Sequence, residues 1–261
     1  MMQLPKPIRA SDRDLFKCPA QWFITRAYPE EMPKAVWFPK GTAIHSGIEQ
    51  MIGGESLQLA IAYAQLEVEN LDAELWSKTD PDQVTLDQSV VNCLTTWYNQ
   101  VHPESKERNP EYTNLAWPPR TEVKVEGEIG GNSYCTTIDA IFGADEVDIV
   151  DWKSGASRSD SVQLWIYQYL VTKLMGLKVR SSWFHNVHLG KIQMADPYPG
   201  DAVVATLLDA VANIKYGYAY PPLPDWYCNY CVARSKCPLF GGDTNLSPSN
   251  IEWVTETGEE K

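Results

Sequence analysis

Long apolar runs are scarce in this sequence, and their absence excludes several classes of protein. The longest runs, such as Val203–Leu208, fall far short of the roughly 20 residues that a membrane-spanning helix needs. The first residues carry no apolar segment of the kind that marks a signal peptide. A 261-residue chain with 44% hydrophobic residues can still bury a sizeable core. We therefore expect a soluble, intracellular, folded protein.

Positive charge is also scarce. The chain has 22 Lys and Arg against 34 Asp and Glu, which gives a net charge of -12. Nucleic-acid binding usually shows as a basic excess, so non-specific binding to phosphates should be weak at physiological salt. A local groove can nevertheless be basic, and a nuclease that binds metal ions needs carboxylates near its substrate. The acidic balance therefore leaves a metal-dependent nuclease open.

Hydrophobic periodicity predicts a helical lobe in the first part of the chain. Ser11, with an acidic residue three places later, resembles a capping box for a short helix. Residues 103–120 are rich in proline, asparagine and charge, which predicts a loop. Between these segments, apolar residues recur at helical spacing over 41–52, 55–76 and 85–101.

The pattern after residue 120 predicts an α/β core. Alternation and turn signals predict three strands, a helix, a further strand or hairpin, and a last helix: Glu122–Glu128, Tyr134–Phe142, Val147–Lys153, Ser159–Met175, 178–193 and 200–215. Gly176 stands where the first helix of this core should end. The buried stripe of that helix is predicted to be Val162, Trp165, Ile166, Tyr169, Leu170 and Leu174.

These patterns divide the chain into four segments. We expect an N-terminal segment and helical lobe over 1–120 and a core over 121–216. A cysteine-rich segment should follow over 217–242, and a loose acidic tail over 243–261.

Two carboxylates and a lysine are predicted to meet at the end of the third strand. Asp151 and Lys153 are two residues apart, so they project together while Trp152 projects the opposite way. Asp139 lies on the preceding strand, and a short turn can bring it beside Asp151. Carboxylate oxygens suit Mg²⁺ or Mn²⁺, which polarises a phosphate and lowers the pKa of a bound water. Lys153 can orient that water or stabilise phosphoryl charge.

The triplet alone is not specific. Glu122–Lys124 and Glu104–Lys106 offer the same spacing, and Asp151 with Lys153 is equally consistent with a surface ion pair. Asp139 shifts the balance, because an acid flanked by apolar residues on a central strand must offset its desolvation.

Four of the six cysteines are candidate metal ligands. Cys228, Cys231 and Cys237 are closely spaced, and Cys18 is the candidate for a fourth ligand. Zinc and an iron–sulfur cluster both accept four cysteines, so spacing leaves the metal open. The other two, Cys93 and Cys135, are predicted to be buried thiols.

Gln163 and Tyr167 are four apart on the next predicted helix, so they share a face that can lie over the strand ends. The alternative is a solvated glutamine and a core tyrosine.

Together with Ile138–Ala140 and Ile149–Gly155, Gln163 and Tyr167 form a pattern that resembles the RecB-type branch of the PD-(D/E)XK nuclease superfamily. That family has an Asp on one strand, an Asp/Glu-x-Lys on the next and a Gln-x-x-x-Tyr helix. The resemblance implies a restriction-endonuclease-like core, with a central mixed sheet flanked by helices.

The resemblance also implies roles for single residues. His45 is similar to the family's upstream motif histidine and would bind Mg²⁺ or Mn²⁺ with Asp139 and Asp151. Glu122 is similar to the acidic position on the family's first core strand. The residues implied to be catalytic are Asp139, Asp151, Lys153, Gln163 and Tyr167.

The cysteines narrow the resemblance further. An early Cys-Pro at Cys18 and the distant group Cys228, Cys231 and Cys237 resemble the iron–sulfur RecB-like exonucleases, which include the AddB nuclease domain and CRISPR-associated or phage exonucleases. This implies a 4Fe–4S cluster, with zinc as the alternative. It also implies a DNA exonuclease acting on single-stranded ends, with 5′-to-3′ cleavage as a working expectation. The setting would be recombination, repair or spacer processing in a bacterial or phage-infected cytoplasm, with a homo-oligomer or a protein partner from such a pathway.

Two other classes of function stay open. One is a catalytically silent DNA-binding or scaffold subunit that keeps the cysteine cluster. The other is a zinc-stapled interaction module, which the acidic surface would suit. The buried charges of Asp139, Asp151 and Lys153 argue against a silent subunit, because loss of activity would remove the reason to keep them.

Overall fold

A computed structural model of the chain describes residues 2–29, 32, 37–69, 83–155, 160–217, 228–229, 231–242 and 251–254. The helices are α1 (Pro19–Ala27), α2 (Trp37–Ile52), α3 (Leu57–Glu69), α4 (Gln83–Val101), α5 (Pro110–Thr113), α6 (Val162–Leu170) and α7 (Asp201–Gly217). The strands are β1 (Met2–Pro5), β2 (Arg120–Ile129), β3 (Asn132–Gly143), β4 (Glu146–Lys153), β5 (Lys178–Asn186), β6 (Lys191–Met194) and β7 (Ile251–Val254). None of the described helices is long and apolar enough to cross a membrane.

The central sheet has five strands in the order β2-β3-β4-β5-β6. β3 and β4 are antiparallel, β4 and β5 are parallel, and β5 and β6 are antiparallel. The parallel pair requires a crossover, which α6 provides. β4 is central and its residues Val147 to Trp152 are all buried, as expected of a strand covered on both faces. This mixed sheet flanked by helices confirms the predicted α/β fold.

The chain divides into two compact units. One comprises Met1–Pro33, Lys124–Thr136 and Pro199–Lys261. The other comprises Lys34–Val123 and Thr137–Tyr198. The four-segment division expected from the sequence stays a prediction.

The second unit has a hydrophobic core between its helices and one face of its strands. α2, α3 and α4 contribute Ile48, Ala64 and Trp97, and β4 contributes Val150 and Trp152, all nearly inaccessible to solvent. The predicted helices over 41–52 and 85–101 are confirmed. The predicted helix over 55–76 is confirmed as α3 up to residue 69, and the rest of it lies outside the described residues.

Two expectations for the first segments were wrong. The N-cap is Arg9 rather than Ser11, and its amide donates a hydrogen bond to the Asp12 carboxylate (3.0 Å), which is one half of a capping box. It opens a 3-10 helix, Ala10–Phe16, which ends before α1 begins. The predicted loop 103–120 contains α5, whose Tyr112 is fully buried.

The crossover helix and the tail also differ from expectation. Of the predicted buried stripe, α6 buries Ile166, Tyr169 and Leu170, and Val162 and Trp165 are half-buried; Leu164 and Tyr167 are buried in addition. The turn that follows, Val171–Met175, is a π-helix, so Leu174, which is half-buried, is rotated from the position that a regular α-helix would give it. Gly176 follows it with φ 70°, as predicted. Part of the tail is not loose, because Ile251–Val254 pairs in parallel with β1.

Candidate active site

The end of β4 presents the predicted acid and lysine on one side. The Asp151 carboxylate is almost fully buried, and its Oδ2 lies 2.5 Å from Lys153 Nζ. Trp152 points the other way, into the core, where its ring meets that of Trp97 edge-on at 5.9 Å. The alternation expected of a strand is therefore confirmed at this point.

Asp139 lies beside Asp151 because the β3–β4 hairpin brings it there. The paired residues run from Gly143 opposite Val147 to Ala140 opposite Val150, and Asp139 is the next residue along β3. Its Oδ2 accepts a hydrogen bond from the Trp152 amide at 2.7 Å. This bond fixes the carboxylate against the strand that carries the other acid.

α6 lies over the strand ends through Gln163 and Tyr167. Gln163 Nε2 donates to Asp151 Oδ1 (2.9 Å) and to the Tyr167 hydroxyl (2.7 Å). Gln163 Oε1 accepts from Lys153 Nζ at 3.4 Å, and the Tyr167 hydroxyl donates to Asp151 Oδ1 at 3.4 Å. Burial, with the nearby charges of Asp151 and Asp139, raises the pKa of Tyr167 well above its ordinary value, so its hydroxyl remains a donor. The shared helix face predicted for this pair thus contacts Asp151 directly.

A second group of ligand atoms forms around Asp139. His45 on α2, Glu122 on β2 and Asp139 each offer an atom within 4.8 Å of the others. His45 Nδ1 lies 3.7 Å from Asp139 Oδ1 and 3.8 Å from Glu122 Oε1. Glu122 has φ 44°, in the left-handed region that a non-glycine residue avoids. Such strain is common where side chains are held for function.

The carboxylates of Glu122, Asp139 and Asp151 outnumber the cationic side chains beside them, His45 and Lys153. Burial by itself lowers the pKa of His45, but the negative charges of Asp139, Glu122 and Asp151 raise it to about 9. Burial, followed by the charge of Asp151, raises the pKa of Asp139 to about 7. The carboxylates therefore compete for positive charge at one place, which is typical of functional sites.

The donor atoms fit a divalent cation. Asp151 Oδ2 is buried and lies 2.5 Å from Lys153 Nζ, and no hydrogen bond from the described residues reaches it. Carboxylate oxygens with one imidazole are a hard donor set that suits Mg²⁺ or Mn²⁺. Glu122 belongs to the compact three-residue group, whereas Asp151 lies outside it. The ligand set expected from the sequence, His45, Asp139 and Asp151, stays a prediction.

Lys40 is a residue of this site that the sequence did not indicate. Its side chain is buried, and Nζ donates to the Ser154 carbonyl (3.1 Å) and to the Ser89 hydroxyl (3.3 Å). Ser154 directly follows Lys153, so Lys40 anchors the end of β4. A lysine near the start of an amphipathic helix is normally solvated, and no sequence signal distinguishes this one.

The cysteines lie in the other compact unit. Cys18 is the N-cap of α1, and its Sγ accepts from the Gln21 amide at 3.5 Å. Burial raises the pKa of the Cys231 thiol, and the neighbouring thiols of Cys18, Cys228 and Cys237 raise it further. The four thiols are therefore close enough to interact. Away from this group, the thiols of Cys93 and Cys135 are buried as predicted.

Comparison with protein families gives a match to the PD-(D/E)XK nuclease superfamily over residues 13–238. Comparison with curated proteins gives none. Among solved structures the chain is similar to one titled "Crystal structure of SSO0001", with 14% identity and a TM-score of 0.38, covering 91% of this chain and 89% of that chain. The family match includes every residue of the site described above, and the chain belongs to the PD-(D/E)XK nuclease superfamily.

Proposed function

We propose that this protein is a Mg²⁺- or Mn²⁺-dependent deoxyribonuclease. The observation that carries the proposal is the network around Asp151. Lys153, Gln163 and Tyr167 all contact its carboxylate or one another, while one carboxylate oxygen has no hydrogen bond from the described residues. A surface ion pair would be solvated, whereas Asp151 is almost fully buried and a second acid, Asp139, lies on the adjacent strand.

Each residue has a distinct role in this proposal. His45, Glu122, Asp139 and Asp151 would hold the cation, which would supply polarisation of the phosphate and a more nucleophilic water. Lys153 stabilises negative charge on the phosphoryl oxygens. Gln163 orients both Asp151 and Lys153, because its Nε2 donates a hydrogen bond to Asp151 and its Oε1 accepts one from Lys153. Tyr167, held neutral, donates its hydroxyl hydrogen towards Asp151.

The cysteines support a more specific assignment, to the iron–sulfur RecB-like exonucleases. An early Cys-Pro at Cys18 with the later group Cys228, Cys231 and Cys237 is the pattern on which that resemblance rests. The thiols of Cys18, Cys228 and Cys237 all act on the pKa of Cys231, which supports one shared metal centre. Four thiolates accept either zinc or a cluster, and the resemblance favours a 4Fe–4S cluster. The proposal includes a homo-oligomer or a protein partner in recombination, repair or spacer processing.

We further propose that the substrate is a single-stranded DNA end. The net charge of -12 disfavours tight non-specific binding along duplex phosphates. A free end can enter a site whose acids are screened by its own cation.

One assay tests the activity. The protein is purified without oxygen and incubated with Mg²⁺ or Mn²⁺ and with linear or circular single strands labelled at the 5′ or 3′ end. Cleavage of linear strands only is expected, and the labelled end that is released first gives the polarity. Asp151→Asn should abolish cleavage, whereas Asp145→Asn, at an exposed residue of the β3–β4 turn, should not. An Asp151→Asn protein as active as the wild type would refute the nuclease assignment, and a brown wild-type protein that never cuts would indicate a scaffold subunit.

A further inference from the structure

A cavity of about 460 Å³ lies between the C-terminal ends of α2 and α4. Tyr98, His102 and Trp117 contribute to its wall, and we call it the aromatic pocket. Its volume is within the range of about 300–1,000 Å³ that is usual for ligand sites. The proposed catalytic residues do not line it.

The aromatic rings form a continuous surface. Tyr98 and His102 are stacked with centroids 4.7 Å apart and an interplanar angle of 16°. Trp117 meets His102 edge-on at 5.4 Å. These three side chains are half-buried, so they are both held in place and accessible to a ligand. Behind them Trp97 contacts Trp117 at 6.4 Å, so the wall is supported by the core.

The aromatic pocket is linked to the candidate active site by α2 and by the segment that leads from Trp117 into β2. α2 carries both His45 and the pocket residue Ile52, seven residues later, which corresponds to about 10 Å along the helix. β2 carries Glu122, five residues after Trp117. Between the two places the Thr121 hydroxyl donates to a Glu49 carboxylate oxygen of α2 at 3.5 Å.

The charges near the pocket are mixed. Glu55 and Glu104 line it, which disfavours an anion inside. Burial lowers the pKa of the His102 imidazole, and the negative charge of Glu104 opposes this shift. Arg108 lies close enough to His102 for its positive charge to lower that pKa further. Arg108 Nε and one terminal nitrogen are buried, and within the described part of the chain they have no hydrogen-bond partner. This combination fits a ligand with a neutral aromatic part and a separate negative group beside it.

We propose that the aromatic pocket binds an unpaired base of the DNA strand and that Arg108 binds a neighbouring phosphate. A B-form strand advances about 3.4 Å per nucleotide, and an extended strand advances more, so the rise along α2 from His45 to the edge of the pocket at Ile52 corresponds to about three nucleotides or fewer. Stacking on aromatic rings supplies affinity that tolerates any base and that an acidic protein cannot obtain from phosphates alone. This inference rests on the proposed nuclease function.

Binding is measured apart from cleavage, in the full-length Asp151→Asn protein with a fluorescent single-stranded oligothymidylate. Trp117→Leu keeps an apolar contact with Trp97 but removes the stacking surface. It should weaken binding by about tenfold or more, as expected for one stacked base. Tyr63→Leu is the matched control, because Tyr63 is an exposed aromatic residue on α3 outside the pocket, and it should bind like the parent protein. Melting temperatures identify any variant that fails to fold.

Arg108→Ala provides a second, independent variant. Because its buried donors lack partners in the described residues, its removal should not lower the melting temperature. It should weaken single-strand binding and reduce the slope of log affinity against log salt by about one. Trp117→Leu should leave that slope unchanged.

The outcomes separate the two proposals. An oligonucleotide with one abasic position should bind the parent protein more weakly when that position lies in the pocket. In Trp117→Leu, affinity should no longer depend on where the abasic position is. If the wild type neither cuts nor binds DNA, the nuclease proposal fails. If it does both, but Trp117→Leu and Arg108→Ala bind like their parent, only the pocket assignment is refuted. An equal loss on duplex DNA would also overturn it, because paired bases cannot enter the pocket.

Discussion

At the scale of single residues, Glu122 combines a chemical role with a conformational cost. Its carboxylate lies in the group with His45 and Asp139, and its φ is 44°. A non-glycine residue in a sparsely populated backbone region costs on the order of 1–3 kcal/mol. The fold tolerates this cost at a position where the proposed function needs an acid.

This combination predicts that a substitution at Glu122 can lower metal affinity and yet raise stability. Glu122→Gln should lower the affinity for Mn²⁺, measured by titrating cleavage with the metal, by about tenfold or more. Glu122→Gly should lower the affinity similarly but raise the melting temperature of the metal-free protein, since glycine adopts positive φ without strain. Glu126→Gln, at an exposed residue of the same strand, is the control. A Glu122→Gly protein that is less stable than Glu122→Gln would contradict the strain argument.

At the scale of elements, a chain of hydrogen bonds joins β5 to two helices behind the site. The Trp183 indole donates to the Tyr112 hydroxyl at 3.3 Å, and that hydroxyl meets His185 Nδ1 at 2.9 Å. His185 Nε2 meets Gln100 Oε1 at 2.8 Å, and Gln100 Nε2 donates to the Gly190 carbonyl at 3.2 Å. The chain is satisfied when His185 is neutral with its proton on Nε2.

This network predicts a loss of stability in mild acid. Burial lowers the pKa of His185 from 6.5 to about 4. Between these values the unfolded chain binds a proton that the folded protein does not, so stability is complete above pH 6.5 and falls as the pH decreases towards 4. The loss from this group should be about 2 kcal/mol at pH 5.

Urea unfolding at pH 7 and pH 5 measures this loss. His185→Gln should be less stable at pH 7 but should lose less stability between the two pH values than the wild type. His188→Gln, at an exposed position, should retain the wild-type difference. An unchanged difference in His185→Gln would show that other groups cause the acid sensitivity.

A second feature at the scale of elements is the buried ion pair between the 3-10 helix and α7. Lys215 Nζ lies 2.8 Å from Asp12 Oδ2, and both side chains are almost completely inaccessible to solvent. The Trp22 indole also donates to Asp12 Oδ1 at 3.1 Å. Removal of one partner from such a pair leaves an uncompensated charge and costs about 3–5 kcal/mol.

A double-mutant cycle tests this pair. Asp12→Asn and Lys215→Met should each destabilise the protein strongly in chemical denaturation, and the double variant should lose much less than the sum. The exposed pair of Asp14 and Lys17 is the control, with a coupling below about 1 kcal/mol. Additive losses at Asp12 and Lys215 would show that the two charges do not depend on each other.

At the scale of the whole molecule, the cysteine group joins parts of the chain that are far apart in sequence. Cys18 and the group Cys228, Cys231 and Cys237 are separated by more than two hundred residues, and a shared metal centre would close that loop. Closing a long loop removes conformational entropy from the unfolded chain.

We predict that the metal centre stabilises the fold. Cys231→Ser should lose iron and visible absorbance when purified without oxygen, and should melt at a lower temperature than the wild type. Cys93→Ala, at a buried thiol outside the group, should keep its iron. Zinc in place of iron in the wild type would refute the iron–sulfur assignment, and an unchanged melting temperature would refute the stabilising role.

The sequence by itself determined the elements of the core and which functional side chains share a face within each element. Alternation placed Asp151 and Lys153 together, and helical spacing placed Gln163 and Tyr167 on one face, because both follow from local backbone geometry. The α/β order followed from the same periodicities.

Only the tertiary structure decided what depends on contacts between distant segments. The burial of Lys40 against Ser154, the place of Tyr112 in the core and the pairing of Ile251–Val254 with β1 have no local signal. The burial of Leu164 and Tyr167 on α6 was also decided there, because it depends on what packs against the helix, and the π-turn at Val171–Met175 shifts Leu174 from the period of 3.6 residues. The tight grouping of Glu122 with His45 and Asp139 arises where α2, β2 and β3 meet, which spacing along one element cannot encode.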